Sequence, residues 1–336
     1  MIRRLMHRWE TKLSQVDTNR VTLPFEWGLH FLNHGSYLGG QPLSELFRFN
    51  KDSIAQSDIF FDPGEPPSFH VNGNQLTFES SVQSPYPENN IASATIFKPS
   101  RSNGAAVVVI PQWNASAESH VSLCKMIAHF GFTTVRLTLP YHEERNPMKV
   151  RADYFVSPNI GRTIQAMQQS VHDVRRAADW LQLEGYERLG IVGSSIGSCI
   201  GFLAFLHDER FRTGVFNHVS SYFGKVVWNG ISTKHVQNGL EPHIEEQDLH
   251  ECWAILSPNT HVGRKRILNP GKRLFISALY DLTFPRDLAE LLFQEHDKFN
   301  IPYDTASLPC GHYSSAIAPF KYLDGYLITN YLRKNL

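Results

Sequence analysis

Acyl transfer at neutral pH needs a serine exposed on a tight turn, an imidazole to take its proton and a carboxylate to orient the imidazole. Gly193-Ser194-Ser195-Ile196-Gly197 sets Ser195 between two glycines at the spacing G-x-S-x-G. The apolar residues Leu189, Ile191 and Val192 precede this pentapeptide, and an apolar helical pattern follows it (Ile200, Phe202, Leu203, Phe205, Leu206). Flanking glycines remove side chains that would collide at such a junction, so the serine can adopt a strained backbone. Its hydroxyl then stands at a helix N-terminus, where N–H groups favour a developing negative charge. Ser194 and Ser198 lack a glycine on each side at that spacing. The same pentapeptide also reads as a plain Gly/Ser turn, and its setting between strand and helix favours the nucleophile.

Partners for Ser195 occur downstream. Asp281 follows the apolar run Leu274–Leu279, and His312 follows the short strand-like run Thr305–Leu308. Each has a plainer reading: Asp281 as a helix N-cap, and His312 as one of 16 histidines with structural roles. No acidic residue follows Val215–Val219 to compete with Asp281, and Asp304 precedes the last strand instead of following the seventh. Cys310, two residues before His312, is read as structural.

The elements that must position these groups follow from hydrophobic patterning. Residues 1–65 read as an N-terminal extension with aromatic anchors (Phe25, Trp27, Phe31) and with Gly35, Gly39 and Gly40 interrupting any long helix. Phe69–Val82 and Ile91–Phe97 read as a two-strand opening. Ala105–Ile110 is a continuous β-branched run, the pattern of a strand buried on both faces. A helix through Leu123 and Ile127, a strand Thr133–Leu139 and a long amphipathic helix from Ile164 to Leu181 lead into Ser195. Strands over Val215–Val219 and Leu274–Leu279 and a final helix over Phe320–Leu336 complete the alternation. This is an α/β fold: a mostly parallel sheet with helices on both faces. Residues 222–272 break the rhythm and read as an inserted cap within a domain over 66–336.

Composition narrows the function further. The 336 residues carry 32 Lys+Arg and 32 Asp+Glu, so no basic excess points to nucleic acid. The run Arg3, Arg4, Arg8, Lys12 and Arg20 lacks a signal-peptide core and reads as a solvated helix face. No apolar stretch reaches membrane-span length, so no integral membrane segment is expected. Four scattered cysteines without a CxxC pair fit reduced thiols, and the cytoplasm is the expected compartment. His235, His243, His250 and His261 show no tight metal-ligand spacing, so no metal is expected.

The order Ser195, Asp281, His312 resembles the triad of the α/β-hydrolase superfamily over roughly Phe69 to Leu336. Within it the chain looks like the bacterial dienelactone-hydrolase-like and acyl-esterase-like branch, with its Pro111-Gln112-Trp113-Asn114 loop and Pro140-Tyr141-His142 segment. The resemblance implies the α/β-hydrolase fold and ester hydrolysis through an acyl-enzyme, without metal or organic cofactor. It also implies an oxyanion hole from the Ile196 N–H and one N–H after Ala105–Ile110. Trp113 is the first choice there and Gln112 the second, because the His-Gly of many relatives is missing. Tyr141, His142, Trp228 and Phe284 are the expected pocket residues, and the aromatic content points to a small-molecule ester with an apolar acyl or aryl group. His142 to Arg145 could line the pocket or bind a polar substrate group, but a solvated loop is the favoured reading. A thioesterase, a lipase or a peptidase would use the same triad. A catalytically silent scaffold that binds a ligand or partner is the reading from another class.

Overall fold

The computed structural model of the chain describes residues 2–16, 20–32, 40–148, 151–263 and 269–336. Ahead of the sheet come α1 (Ile2–Ser14), α2 (Pro42–Ala55) and α3 (Ser57–Phe60). Gly35 and Gly39, expected to interrupt this segment, lie outside the described residues. The sheet opens with β1 (Phe69–Asn72), β2 (Gln75–Glu79) and β3 (Ile91–Phe97), paired antiparallel. The stretch Phe69 to Val82, expected as one strand, is a hairpin: Gly73 at its turn takes a left-handed backbone with φ 61°.

Helices and strands then alternate through β4 (Ala105–Ile110), α4 (Val121–His129), β5 (Thr133–Thr138), α5 (Ile160–Leu183), β6 (Arg188–Ser194), α6 (Ile196–Leu206) and β7 (Phe211–Asn217). Four short helices follow: α7 (Phe223–Asn229), α8 (Lys234–Leu240), α9 (Glu246–Cys252) and α10 (Pro258–His261). The chain returns to the sheet with β8 (Lys272–Ala278), α11 (Arg286–Lys298), β9 (Asp304–Leu308) and α12 (Phe320–Asn335).

Among the described residues the sheet order is β1-β2-β3-β5-β4-β6-β7-β8-β9. Neighbours from β5 to β9 pair in parallel. Side chains alternate across a strand, so a strand buried on both sides feeds two cores. Ala106, Val108 and Ile110 of β4 pack with α5 and α6, whereas Val107 and Val109 pack with Cys124 and Ile127 of α4 and Ile328 of α12. Strand order reverses at β4, because the chain passes out to β5 and back across to β6. In an open parallel sheet that switch leaves a crevice at the carboxyl ends, here those of β4 and β6.

Helix α5 is buried almost all round, although its sequence pattern predicts one buried face. Residues ahead of the sheet cover its outer side: Gln168 Nε2 donates to the Phe60 carbonyl (2.8 Å) and Arg176 Nη2 to that of Pro63 (2.5 Å). No helix among the described residues is long and apolar enough to cross a membrane.

Candidate active site

Strand β6 ends at Ser194 and α6 begins at Ile196, so Ser195 occupies the junction, with φ 57° and ψ −125°. Side chains tolerate that backbone region poorly, and neighbours must hold it. The Ser195 N–H donates to the Asn217 carbonyl at the end of β7 (2.9 Å). Ser198 donates to the Ser195 carbonyl through its N–H (2.8 Å) and its Oγ (2.6 Å). The flanking glycines are demanded by contact. A Cβ on Gly193 would stand 2.1 Å from the Gly197 carbonyl oxygen, and one on Gly197 2.4 Å from that of Ile110. The turn is pressed onto the end of β4 with no room for a side chain.

His312 and Asp281 reach Ser195 from the loops after β9 and β8. His312 Nε2 lies 3.1 Å from Ser195 Oγ, and its Nδ1 lies 3.1 Å from Asp281 Oδ2. The other Asp281 oxygen accepts the backbone N–H groups of Thr283 (2.8 Å) and Phe284 (2.7 Å). Its reading as a turn cap therefore describes one oxygen, while the second faces the imidazole. Burial alone would raise this carboxyl's pKa, but the imidazoles of His312 and His218 outweigh burial and hold it below the usual carboxylate range. An acceptor at Nδ1 selects the tautomer that leaves Nε2 as proton acceptor for Ser195.

His218 is the residue that sequence reasoning missed. It follows β7 in a left-handed backbone (φ 59°), with its ring 4.4 Å from that of His312. The strand ends at Asn217 instead of Val219, which turns His218 toward the β8 loop. Its Nδ1 lies 3.0 Å from Asp281 Oδ2 and its Nε2 3.0 Å from Ser315 Oγ. Ser315 donates its one proton to the His312 carbonyl (2.6 Å), and a carboxylate can accept but not donate. Nδ1 of His218 therefore donates to Asp281. A histidine just past a strand's carboxyl end was the available signal, the same one that marks His312. Ligand atoms of His218, Asp281 and His312 also lie within 4.8 Å of one another, close enough to share a cation. A cation would take the atoms that aim His312 at Ser195, so the two uses compete.

The His312 loop is held from outside. Glu10, buried on α1, accepts the backbone N–H of Tyr313 at Oε2 (2.8 Å) and that of Ser314 at Oε1 (2.9 Å). Arg20 donates to the Tyr313 hydroxyl (2.8 Å), which also lies 2.7 Å from Ser232 Oγ. Arg3, Arg4, Arg8 and Lys12 face solvent, but Arg20 departs from the expected solvated face and lines the cavity.

On the opposite side, Ile196 opens α6, and Gln112 and Trp113 line the cavity after β4. Their loop is clamped by three bonds. Trp113 Nε1 donates to the Ala152 carbonyl (2.9 Å), Asn114 Oδ1 accepts the Ala152 N–H (2.8 Å), and the Asn114 N–H donates to His142 Nε2 (2.9 Å). Asn114 itself has φ 57°, a conformation that Asn adopts more readily than other side chains, and so does what a glycine would do here.

Three expected pocket residues sit elsewhere. His142 is buried behind the loop, with Nδ1 donating to the Pro140 carbonyl (2.8 Å). Burial pushes its pKa down to about 4, which keeps Nε2 an acceptor for Asn114. Tyr141 is fully buried, edge-on to Tyr86 (5.9 Å) and Tyr154 (6.0 Å). Trp228 packs on the core, while its helix neighbours Val226 and Val227 line the cavity. Phe284 does line it, stacked on His312 at 5.2 Å. The stretch from His142 to Arg145 is solvated only in part: Glu144 is exposed, but Arg145 is fully buried and paired with Asp173 (2.9 Å). The cavity measures about 890 Å³, and Phe223, Val226, Val227, Leu123 and Phe284 contribute apolar wall.

No family model matches this chain, and no curated protein sequence does. Solved structures match it. Acylaminoacyl peptidase from Pyrococcus horikoshii aligns at 15% identity and TM-score 0.60 over 81% of this chain and 42% of that one. The chain thus spans less than half the length of that neighbour. An acetyl xylan esterase from Paenibacillus sp. R4 aligns at 12% identity and TM-score 0.60, over 92% and 99% of the two chains. An esterase from Pyrococcus furiosus aligns at 12% identity and TM-score 0.55, over 80% and 91%. Such identities speak for architecture. With its strand order and helices on both faces, the chain has the α/β-hydrolase fold.

Proposed function

We propose that the protein is a serine hydrolase that cleaves a carboxylic ester through an acyl-enzyme. The reading is carried by the hydrogen-bonded chain from Ser195 through His312 to Asp281, placed at a strained strand–helix junction on a large cavity. His312 Nε2 takes the Ser195 proton as Oγ bonds to the carbonyl carbon, and Asp281 stabilises the imidazolium. The carbonyl oxygen becomes an oxyanion, received by the Ile196 N–H and by that of Trp113 or Gln112. The imidazolium then protonates the departing alcohol, leaving acyl-Ser195. Water gives a proton to His312, attacks the acyl carbon and releases the acid, and His312 returns the proton to Ser195.

The apolar wall supports an acyl or aryl group in the substrate. Helices α7 and α10 contribute Phe223, Val226, Val227 and Pro258 to the cavity, which supports reading residues 222–272 as a cap. The cover over α5 supports residues 1–65 as an extension packed on a domain of 66–336. All four cysteines are free and buried, in keeping with a reducing compartment such as the cytoplasm.

Intact-mass detection of a fluorophosphonate adduct, with peptide mapping, tests the reading. One adduct on Ser195 is expected, absent in Ser195→Ala and strongly reduced in His312→Ala. No adduct on the folded wild type would overturn it. Ester turnover should fall by about 10⁵-fold in Ser195→Ala and be indifferent to a chelator. Loss of turnover to chelation, restored by a divalent cation, would assign His218, Asp281 and His312 to a metal.

A further inference from the structure

One corner of the cavity has no part in ester chemistry. At the carboxyl end of β7, Asn217 Nδ2 donates to Asp324 Oδ2 on α12 (2.8 Å). The remaining atoms of both groups, Asn217 Oδ1 and Asp324 Oδ1, are buried without a hydrogen-bond partner among the described residues. Both residues line the cavity. The bond that Asn217 makes sets its amide orientation, since the reverse would turn its oxygen against a carboxylate. Two acceptors on adjoining groups, one of them a carboxylate oxygen, are therefore left without donors among the described residues, and native interiors pair such atoms with water, an ion or a ligand.

No donor among the described residues reaches these two oxygens. Burial pushes the Asp324 carboxyl up to about 6, opposed by His218 and by the bond from Asn217, and above that pH the carboxylate form prevails. His218 faces it, but both ring nitrogens are committed to Asp281 and Ser315. Lys321, one turn earlier on α12, lies over the Tyr322 ring at 5.1 Å. The corner also adjoins the nucleophile, because the Asn217 carbonyl accepts the Ser195 N–H.

We propose that Asn217 and Asp324 form a subsite for a protonated amine, so that the ester hydrolysed at Ser195 carries an ammonium group within a few bonds of its carbonyl. An ammonium has only donors to offer and a charge that answers the carboxylate; a hydroxyl or neutral amide supplies hydrogen atoms without the charge. The apolar wall accommodates the rest of the molecule. The word substrate rests on the serine hydrolase reading, but the subsite can be tested with catalysis removed.

The test is calorimetric titration of Ser195→Ala protein with benzylammonium and with benzyl alcohol, which share a ring and differ in charge. Benzylammonium is expected to bind at least about tenfold tighter, and the preference to vanish when Asp324→Asn is added. Equal binding of the two in Ser195→Ala overturns the subsite, and it is the result expected if Lys321 turns onto Asp324. A preference that survives Asp324→Asn in folded protein also overturns it. The first comparison leaves Asp324 untouched, so it decides the matter even where the double variant does not fold. Fluorophosphonate labelling reports separately: an ammonium preference without labelling keeps the subsite and removes the hydrolase.

Discussion

Ser195 and His312 face each other across 3.1 Å, yet the two are held in place by different means. The Ser195 side is fixed by backbone. Gly193 and Gly197 touch main-chain atoms of the same turn and of β4, and the loop opposite is clamped by Asn114, Ala152 and His142. The His312 side is fixed by side chains from remote segments: Glu10 of α1, Arg20 beyond it, Asp281 after β8 and His218 after β7. Steric exclusion allows Ser195 one position that side-chain changes cannot relax. Charged and polar contacts leave His312 dependent on partners that single substitutions remove.

The strongest challenge to this contrast is Gly197→Val. A branched side chain must enter where a Cβ alone would lie 2.4 Å from a carbonyl oxygen, so turnover should fall by about 10³-fold or more, with a lowered Tm. Near-normal turnover would show the Ser195 turn to be as yielding as the His312 loop. Glu10→Ala comes next. It strips two N–H groups of a charged acceptor, and about 2 kcal/mol should be lost in urea unfolding, with kcat down by one to two orders of magnitude. Glu10→Gln, which keeps one carbonyl acceptor, should fall between. Wild-type kcat in Glu10→Ala would mean that the loop supports itself. For His218→Asn we expect about a tenfold fall in kcat at unchanged KM, since the ring touches Asp281 and the His312 loop; a change confined to stability would reduce His218 to packing.

The smallest effect sharpens the contrast by acidification. His120, His142, His172 and His296 are each pushed down to about 4 by burial. Their folded pKa lies below the unfolded value of about 6.5. The unfolded chain therefore binds protons first, and stability falls as pH drops from about 6.5 toward 4. Asp281 works in the same sense over a lower window: its depressed pKa contributes stability above about pH 4 that is lost as the pH falls below it. His142 clamps the Asn114 loop and His120 Nε2 lies 2.9 Å from Ser194 Oγ, so the nucleophile side should loosen first. Equal urea midpoints at pH 7 and pH 5 would contradict buried neutral rings.

The same division decides what could be read from sequence. The strand–turn–helix around Ser195 is local, and its glycines and apolar flanks announce it between Leu189 and Leu206. Asp281 and His312 were legible because the fold places such groups just past strand ends. The unbroken β4 run likewise announced a strand buried on both faces. Glu10 and Arg20 carried no signal: one acid and one arginine among many acquire roles only through contacts nearly 300 residues or more away. Tyr141 and His142 misled because a strand end aims its side chains by the twist of a left-handed residue, and Tyr141 has φ 61°. Trp228 misled because the face a short helix presents depends on its docking. Val226 and Val227 took the place assigned to it.

The tie from Glu10 to Tyr313 and Ser314 spans 303 and 304 positions, which sets an order in time as well as in space. During synthesis Glu10 leaves the ribosome early and waits for nearly the whole chain before its partners emerge. By then β4 to β7 and the Ser195 turn can already have folded, and a serine without a seated imidazole has the reactivity of an ordinary alcohol. Closing so long a loop is slow compared with local folding. On the proposed mechanism the growing chain therefore carries an unarmed nucleophile, which gains its full reactivity when Glu10 meets the His312 loop.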